Sequence, residues 1–259
     1  MSNRRSKTLG AAALLMLTGP AFAADVPDAA PPIEHSWRFQ VSLYGWATAI
    51  NGDVGIRGLP PANVDISAWD AIQHLDAVPV AGSILATDGT WLFYSDAMWV
   101  KVAADANVGP LTGSVRFEQE EVLVTGLVGH SLPVNIPDLE LFATAGLRYQ
   151  HYSVNLSIDP ALFPGTSRSG SKGWVDPIIG LAAHYDIDDR WFINAMADIG
   201  GFGVSSDFTA QGFAAVGYNW TPTISTALGY RVLYTDYQDG GFSYNVTQHG
   251  LFSSVAFRF

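Results

Sequence analysis

From Trp37 to Phe259 most of the chain alternates apolar and polar residues with period two, and its charges keep to one side of the alternation. Period two belongs to β-strands, whose successive side chains point to opposite faces. Trp37, Phe39, Val41 and Leu43 stand against Arg38, Gln40, Ser42 and Tyr44. Leu139, Leu141, Ala143, Ala145, Leu147 and Tyr149 stand against Glu140, Thr144, Arg148 and Gln150. Val175, Ile179, Leu181, Ala183 and Tyr185 oppose Asp176, His184 and Asp186. Trp191, Ile193, Ala195, Ala197 and Ile199 oppose Asn194 and Asp198. Leu228, Tyr230, Val232 and Tyr234 oppose Arg231, and Leu251, Val255, Phe257 and Phe259 oppose Arg258. The charged residues of these segments are Arg38, Glu140, Arg148, Asp176, Asp186, Asp198, Arg231 and Arg258, all on the less apolar face.

Such segregation has a physical cause when the apolar face meets lipid, where Arg or Lys at the midplane of a barrel costs ~2–4 kcal/mol. Hydrophobic residues make up 48% of the chain and charged ones only 14%. No apolar run reaches the ~20 residues of a spanning helix. The apolar content is therefore distributed strand by strand, which reads as an all-β, antiparallel transmembrane β-barrel. A soluble β-sandwich also alternates. It has no need of small apolar outer faces or of aromatics at the segment ends.

Other segments are less regular. Val78 to Ala86 alternates weakly, and Phe208 to Trp220 completes the set. In Trp91 to Lys101 the register with Trp91, Phe93, Ala97 and Trp99 outward keeps Asp96 out of lipid. Arg116 to His130 changes phase, which suggests a bulge or an extension above the membrane. Pro177, which cannot donate to a ladder, belongs near a rim or a bulge.

Short connections at Thr87–Thr90, Leu132–Asp138, Ile187–Arg190 and Thr221–Thr223 alternate with longer ones. The longer ones are Ile50–Asp76, Ala103–Thr112, Asp159–Gly173, Gly201–Ser206 and Asp236–Gly241. This count gives about ten strands, with both termini on the short-turn, periplasmic side. Eight strands also fit, or twelve if Gly52–Gly58 is a strand of its own. Trp91, Trp191 and Trp220 border short turns, where an interfacial girdle lies, and Phe257 faces outward near the end.

Met1–Ala23 carries a basic start (Arg4, Arg5, Lys7), a short apolar core and Ala21-Phe22-Ala23, the pattern of a cleaved signal peptide. Removing 23 residues from 259 leaves 236, with 10 Lys+Arg against 24 Asp+Glu and a net charge of −14. That balance excludes nucleic acid as a partner. The chain has no cysteine, so an exported fold must rely on packing and backbone pairing. Residues 24–36, rich in proline, read as a periplasmic tether, and 37–259 as the barrel.

Leu251–Phe259 (LFSSVAFRF) ends in phenylalanine and resembles the last strand of Gram-negative outer-membrane β-barrel proteins. The resemblance implies insertion by the barrel assembly machinery, with Phe259 as assembly signal, and contact with outer-membrane lipid and lipopolysaccharide. Ala23-Ala24-Asp25-Val26-Pro27 and its proline-rich continuation resemble small outer-membrane proteins of alphaproteobacteria.

The inward charges point to a network in which Arg38, Arg148 and Arg231 pair with Glu140, Asp176, Asp198 and Asp96. It would line a narrow pathway or fill the interior, and barrels of about eight strands are filled by side chains. In the first long loop, Ser67 with Asp70 resembles a capping box, and Ile66, Trp69, Ile72 and Leu75 recur every third residue, predicting a short helix. The Asp159–Gly173 loop reads as flexible and exposed, and Glu118, Glu120 and Glu121 as a solvated strand end. The histidines show no metal spacing, and no cofactor is implied. The leading function is a structural or surface-exposed outer-membrane barrel with room for a narrow solute channel, its extracellular ligand unknown. The alternative is a lipid A- or peptide-processing hydrolase with its site at the extracellular rim.

Overall fold

A computed structural model of the protein describes residues 36–55, 62–77, 79–107, 114–159 and 166–259. The signal-peptide and tether assignments lie outside these residues, apart from Ser36. The strands are β1 (Arg38–Gly55), β2 (Ala62–Ile66), β3 (Val80–Thr87), β4 (Trp91–Asn107), β5 (Ser114–Ser131) and β6 (Leu139–Asp159). They continue as β7 (Thr166–Asp186), β8 (Trp191–Gly200), β9 (Phe208–Asn219), β10 (Ile224–Asp239) and β11 (Phe242–Arg258). One short helix, α1 (Ala68–Gln73), follows β2.

Every neighbouring pair is antiparallel, in the order β1, β3, β4 and so on to β11, and β11 pairs back onto β1. The result is a closed barrel of ten strands. β2 stands outside the ring as an arm folded onto the upper half of β1, from Ile50↔Ile66 to Val54↔Ala62. Gly52–Gly55 therefore extends β1 and is no separate strand. At the seam, Phe39 and Phe259 exchange both backbone hydrogen bonds (3.0 and 3.1 Å). The ladder continues from Gln40↔Arg258 to Gly55↔Ser243, so backbone pairing joins the first strand to the last, and Arg258 adds a side-chain bond to Gln40 (3.2 Å).

The outer face carries the apolar half of the alternation, with Leu43, Ile84, Leu147, Ile179, Leu228 and Leu251 each more than half exposed. Trp91, Trp191, Trp220 and Phe257 stand outward at the short-turn end. Trp191, Tyr218 and Trp220 pack edge to face, and Trp37 packs on Phe93. The Trp91–Trp99 stretch of β4 spans roughly 20 Å at ~3.3 Å per residue and ~40° tilt, close to the ~25 Å lipid belt of such barrels. The turn after β7 is tied by Asp188, which accepts from the backbone N–H of Arg190 and Trp191 (2.7 Å each). Those two N–H groups hold the Asp188 carboxyl below its usual range.

Two expectations change. β5 pairs β4 and β6 in unbroken register, so of the two readings of Arg116–His130 the bulge falls and the extension above the belt holds. Glu118 and Glu120 occupy the outward face above the belt, where Arg116 binds Glu118 (2.9 Å) and Trp99 Nε1 donates to Glu120 (2.8 Å). Glu121 turns inward. The Asp159–Gly173 loop is also shorter than expected, because Thr166–Gly173 is strand paired to β6 from Ile158↔Thr166 to His151↔Gly173. Its run of Ser and Gly is a strand edge that only cross-strand pairing reveals. Pro177 sits where the β7–β8 ladder ends, its carbonyl accepting from Gly201 N–H (3.1 Å).

Candidate functional site

Even-numbered residues of β1, β4, β6, β7, β8 and β11, and odd-numbered ones of β5, β9 and β10, face the barrel interior. This parity gathers the inward side chains into layers from the short-turn end upward.

At the short-turn mouth Arg38 pairs with Glu140, both partly exposed. Arg258 donates to Asn219 (2.8 Å) and Gln40 (3.2 Å), and its guanidinium lies 5.1 Å over the Phe192 ring. The His184 ring bridges Asn194 (2.7 Å) and Asp186 (3.2 Å). Above the mouth, Leu85, Leu92, Phe142, Ala182 and Met196 form an apolar band. They line a cavity of about 530 Å³.

The next layer closes the interior. Arg231 donates to Asp96 (3.1 Å), Gln211 (2.7 Å) and Tyr44 (3.3 Å), with its guanidinium 4.9 Å from the Trp46 ring. Gln211 also donates to Asp198 (3.2 Å), and Asp198 accepts from Arg148 (2.8 Å). Arg148 and Asp198 side chains are wholly buried. One continuous path thus runs Asp96–Arg231–Gln211–Asp198–Arg148. Asp176 is the exception to the expected pairing. It stands directly opposite Arg148 in the β6–β7 register, but no ion pair joins the two, and it accepts from Ser206 N–H (2.8 Å), Ser206 Oγ (2.7 Å) and Trp174 Nε1 (3.1 Å). A carboxylate can be satisfied by neutral donors when a tight turn brings a backbone N–H to it, and the 201–207 turn does so.

Glu121 is the buried carboxyl that the sequence reading placed at a solvated strand end. It is 2% exposed and accepts from Gln248 Nε2 (2.8 Å) and Tyr152 OH (3.1 Å). Tyr152 and Gln248 sit on β6 and β11, on opposite sides of the ring, so their 3.3 Å contact crosses the barrel. With Asp96 and Glu121 counted beside Glu140, Asp176, Asp186 and Asp198, inward acids outnumber the four arginines Arg38, Arg148, Arg231 and Arg258. Parity was the available signal: with Val122, Val124 and Val128 outward, Glu121 had to face in. Above it, Trp174 stacks on Tyr237 (centroids 4.0 Å), and Tyr152, Tyr244 and Phe242 complete an aromatic plug.

On the long-strand side, Lys101 binds Asp76 (2.8 Å) and Lys172 binds Asp239. Lys101 holds the Asp76 carboxyl below its usual range, and Lys172 does the same for Asp239. Ser67 caps α1, accepting from Asp70 N–H (3.1 Å). Trp69 and Ile72 on the helix, and Leu75 just after it, stay exposed. Among the described residues no group of three or more His, Cys, Asp or Glu side chains is placed to hold a metal ion.

No protein-family model and no curated protein matches the chain. Among solved structures it is similar to the outer membrane protease OmpT from Escherichia coli, at 12% identity and TM-score 0.49, covering 87% of this chain and 97% of that one. It is also similar to Ail, the attachment invasion locus protein of Yersinia pestis (12%, TM-score 0.37, 86% and 98% covered). A third is Neisserial surface protein A, NspA (13%, TM-score 0.32, 86% and 97% covered). At these scores the fold rests on the closed strand pairing of this chain itself.

Proposed function

We propose that the protein is an integral outer-membrane β-barrel with a structural or surface-exposed role and a sealed interior. The observation that carries this reading is the stack of cross-lumen contacts. A polar layer through Arg231 and Arg148 is followed by the Glu121–Gln248–Tyr152 layer and then by the Trp174–Tyr237 plug. Each reaches between strands that are not neighbours in the ring, so a solute passing the barrel would have to break all of them. The apolar outer belt, the aromatics at the short-turn end and the terminal Phe259 support the membrane and its outer-membrane identity. The Ala23–Pro27 resemblance supports an alphaproteobacterial type.

Purified protein in planar bilayers is expected to give no stable unitary conductance, and stable steps would overturn the sealed interior. In cells, the protein is expected in the outer-membrane fraction with heat-modifiable migration on gels. A soluble, heat-indifferent chain would overturn the membrane assignment.

A further inference from the structure

The cavity between the mouth and the Arg231–Asp96 layer is lined in a way that a sealed barrel does not require. Interiors of membrane barrels are usually polar. Here the wall is the band of Leu85, Leu92, Phe142, Ala182 and Met196, with Phe213 and Phe252 in edge-to-face contact (4.8 Å) beside it. The cavity reaches the short-turn rim, where Pro222 and Thr223 line it, and so meets the solvent of that side. Apolar wall against water is unfavourable, and the cost is relieved when an apolar body replaces the water. The volume, about 530 Å³, falls in the ~300–1,000 Å³ range of small-molecule sites.

The polar groups decide what kind of molecule fits. At the buried end the charges are matched, Arg231 with Asp96; at the mouth Arg38 pairs with Glu140, while Arg258 has the neutral partners Asn219 and Gln40. A charged head group carried to the buried end would stay unpaired there, which burial penalises heavily. A neutral head has partners. Ser42, Tyr94 and Thr125 line the upper end and carry hydroxyl groups. We propose that this half of the lumen is a binding site for a small neutral amphiphile, with an apolar body of ring or short-chain size and a hydrogen-bond-donating head such as a hydroxyl. The site opens to the short-turn side only and is independent of whether the barrel conducts.

The methionines provide a local reporter. Met196 lines the cavity, whereas Met98 packs with Leu123 and Leu233 beyond the Arg231–Asp96 layer. Protein labelled with [13C-methyl]methionine is isolated in lipid nanodiscs, its two barrel resonances assigned with M98L and M196L. 1-Naphthol is titrated as the neutral amphiphile and 1-naphthoate as its charged counterpart. The expected result is a saturable shift of Met196 with Met98 unmoved, and at least about tenfold weaker binding of the carboxylate. Ala182→Phe, which fills the apolar band, is expected to abolish the shift. Ala227→Phe, on the same lining, serves as a second block, and heat-modifiable migration shows that each variant is folded. Four results would each overturn the site: Met196 unmoved by 1-naphthol, Met98 moving as much as Met196, the carboxylate binding equally well, or folded blocking variants with wild-type binding.

Discussion

The side chain on which the interior turns is Arg231. Its guanidinium joins four groups, from Tyr44 and Asp96 on one side to Gln211 on the other, with the Trp46 ring against its face. Removing one member of a buried ion pair leaves the other charge uncompensated, a loss of about 3–5 kcal/mol, whereas replacing both by apolar residues of similar size is often close to neutral. Arg231→Met is therefore expected to lower the stability of the barrel by about that 3–5 kcal/mol, and the double variant Arg231→Met with Asp96→Leu to recover most of it. Urea unfolding in lipid vesicles, followed by tryptophan fluorescence, measures both. A double variant as weak as the single one would show that Gln211 and Tyr44 depend on the charge itself. Gly217 makes a second point at this scale. A Cβ there would run into the Phe192 ring, on whose face Arg258 lies, so glycine is what lets the mouth close.

At the scale of elements, the helix α1 and the strands differ in what holds them. α1 has six residues and buries none of them, so it depends on its cap rather than on packing. Ser67→Ala is expected to cost about 1 kcal/mol of local stability. Amide exchange across 68–75 would quicken while the urea midpoint of the barrel stayed in place; a shifted midpoint would mean that the helix supports the ring. The strands were largely legible from parity. Asp96 and Arg148 could be turned inward on sequence alone because the other register would place a charge in lipid. Parity cannot say which inward residues meet across the barrel, since that depends on stagger between strands far apart in sequence. Hence the sequence does not show that Ser206, rather than the register neighbour Arg148, donates to Asp176, nor that the uncharged Gln211, Gln150 and Gln248 are bridges. Thr166–Gly173 failed for a different reason: Ser and Gly are turn formers by local preference, and pairing to β6 overrides that preference.

For the whole molecule, closure is the governing fact. The two backbone bonds between Phe39 and Phe259 hold the last residue in the ring, with their rings stacked at 6.4 Å. Deleting Phe259 is expected to abolish outer-membrane insertion in cells while leaving refolding in detergent largely intact. Membrane fractionation and gel migration report the two separately. Equal loss in both settings would make the residue structural rather than a signal. Closure also has a consequence in time. β1 needs β11 as a partner along most of its length, so the first strand to be made is completed only by the last. Contacts between residues so distant in sequence are slow to form. The β11-facing edge of β1 must therefore wait, unpaired, until β11 has been delivered, and the excess of acidic residues opposes association of neighbouring copies during that interval.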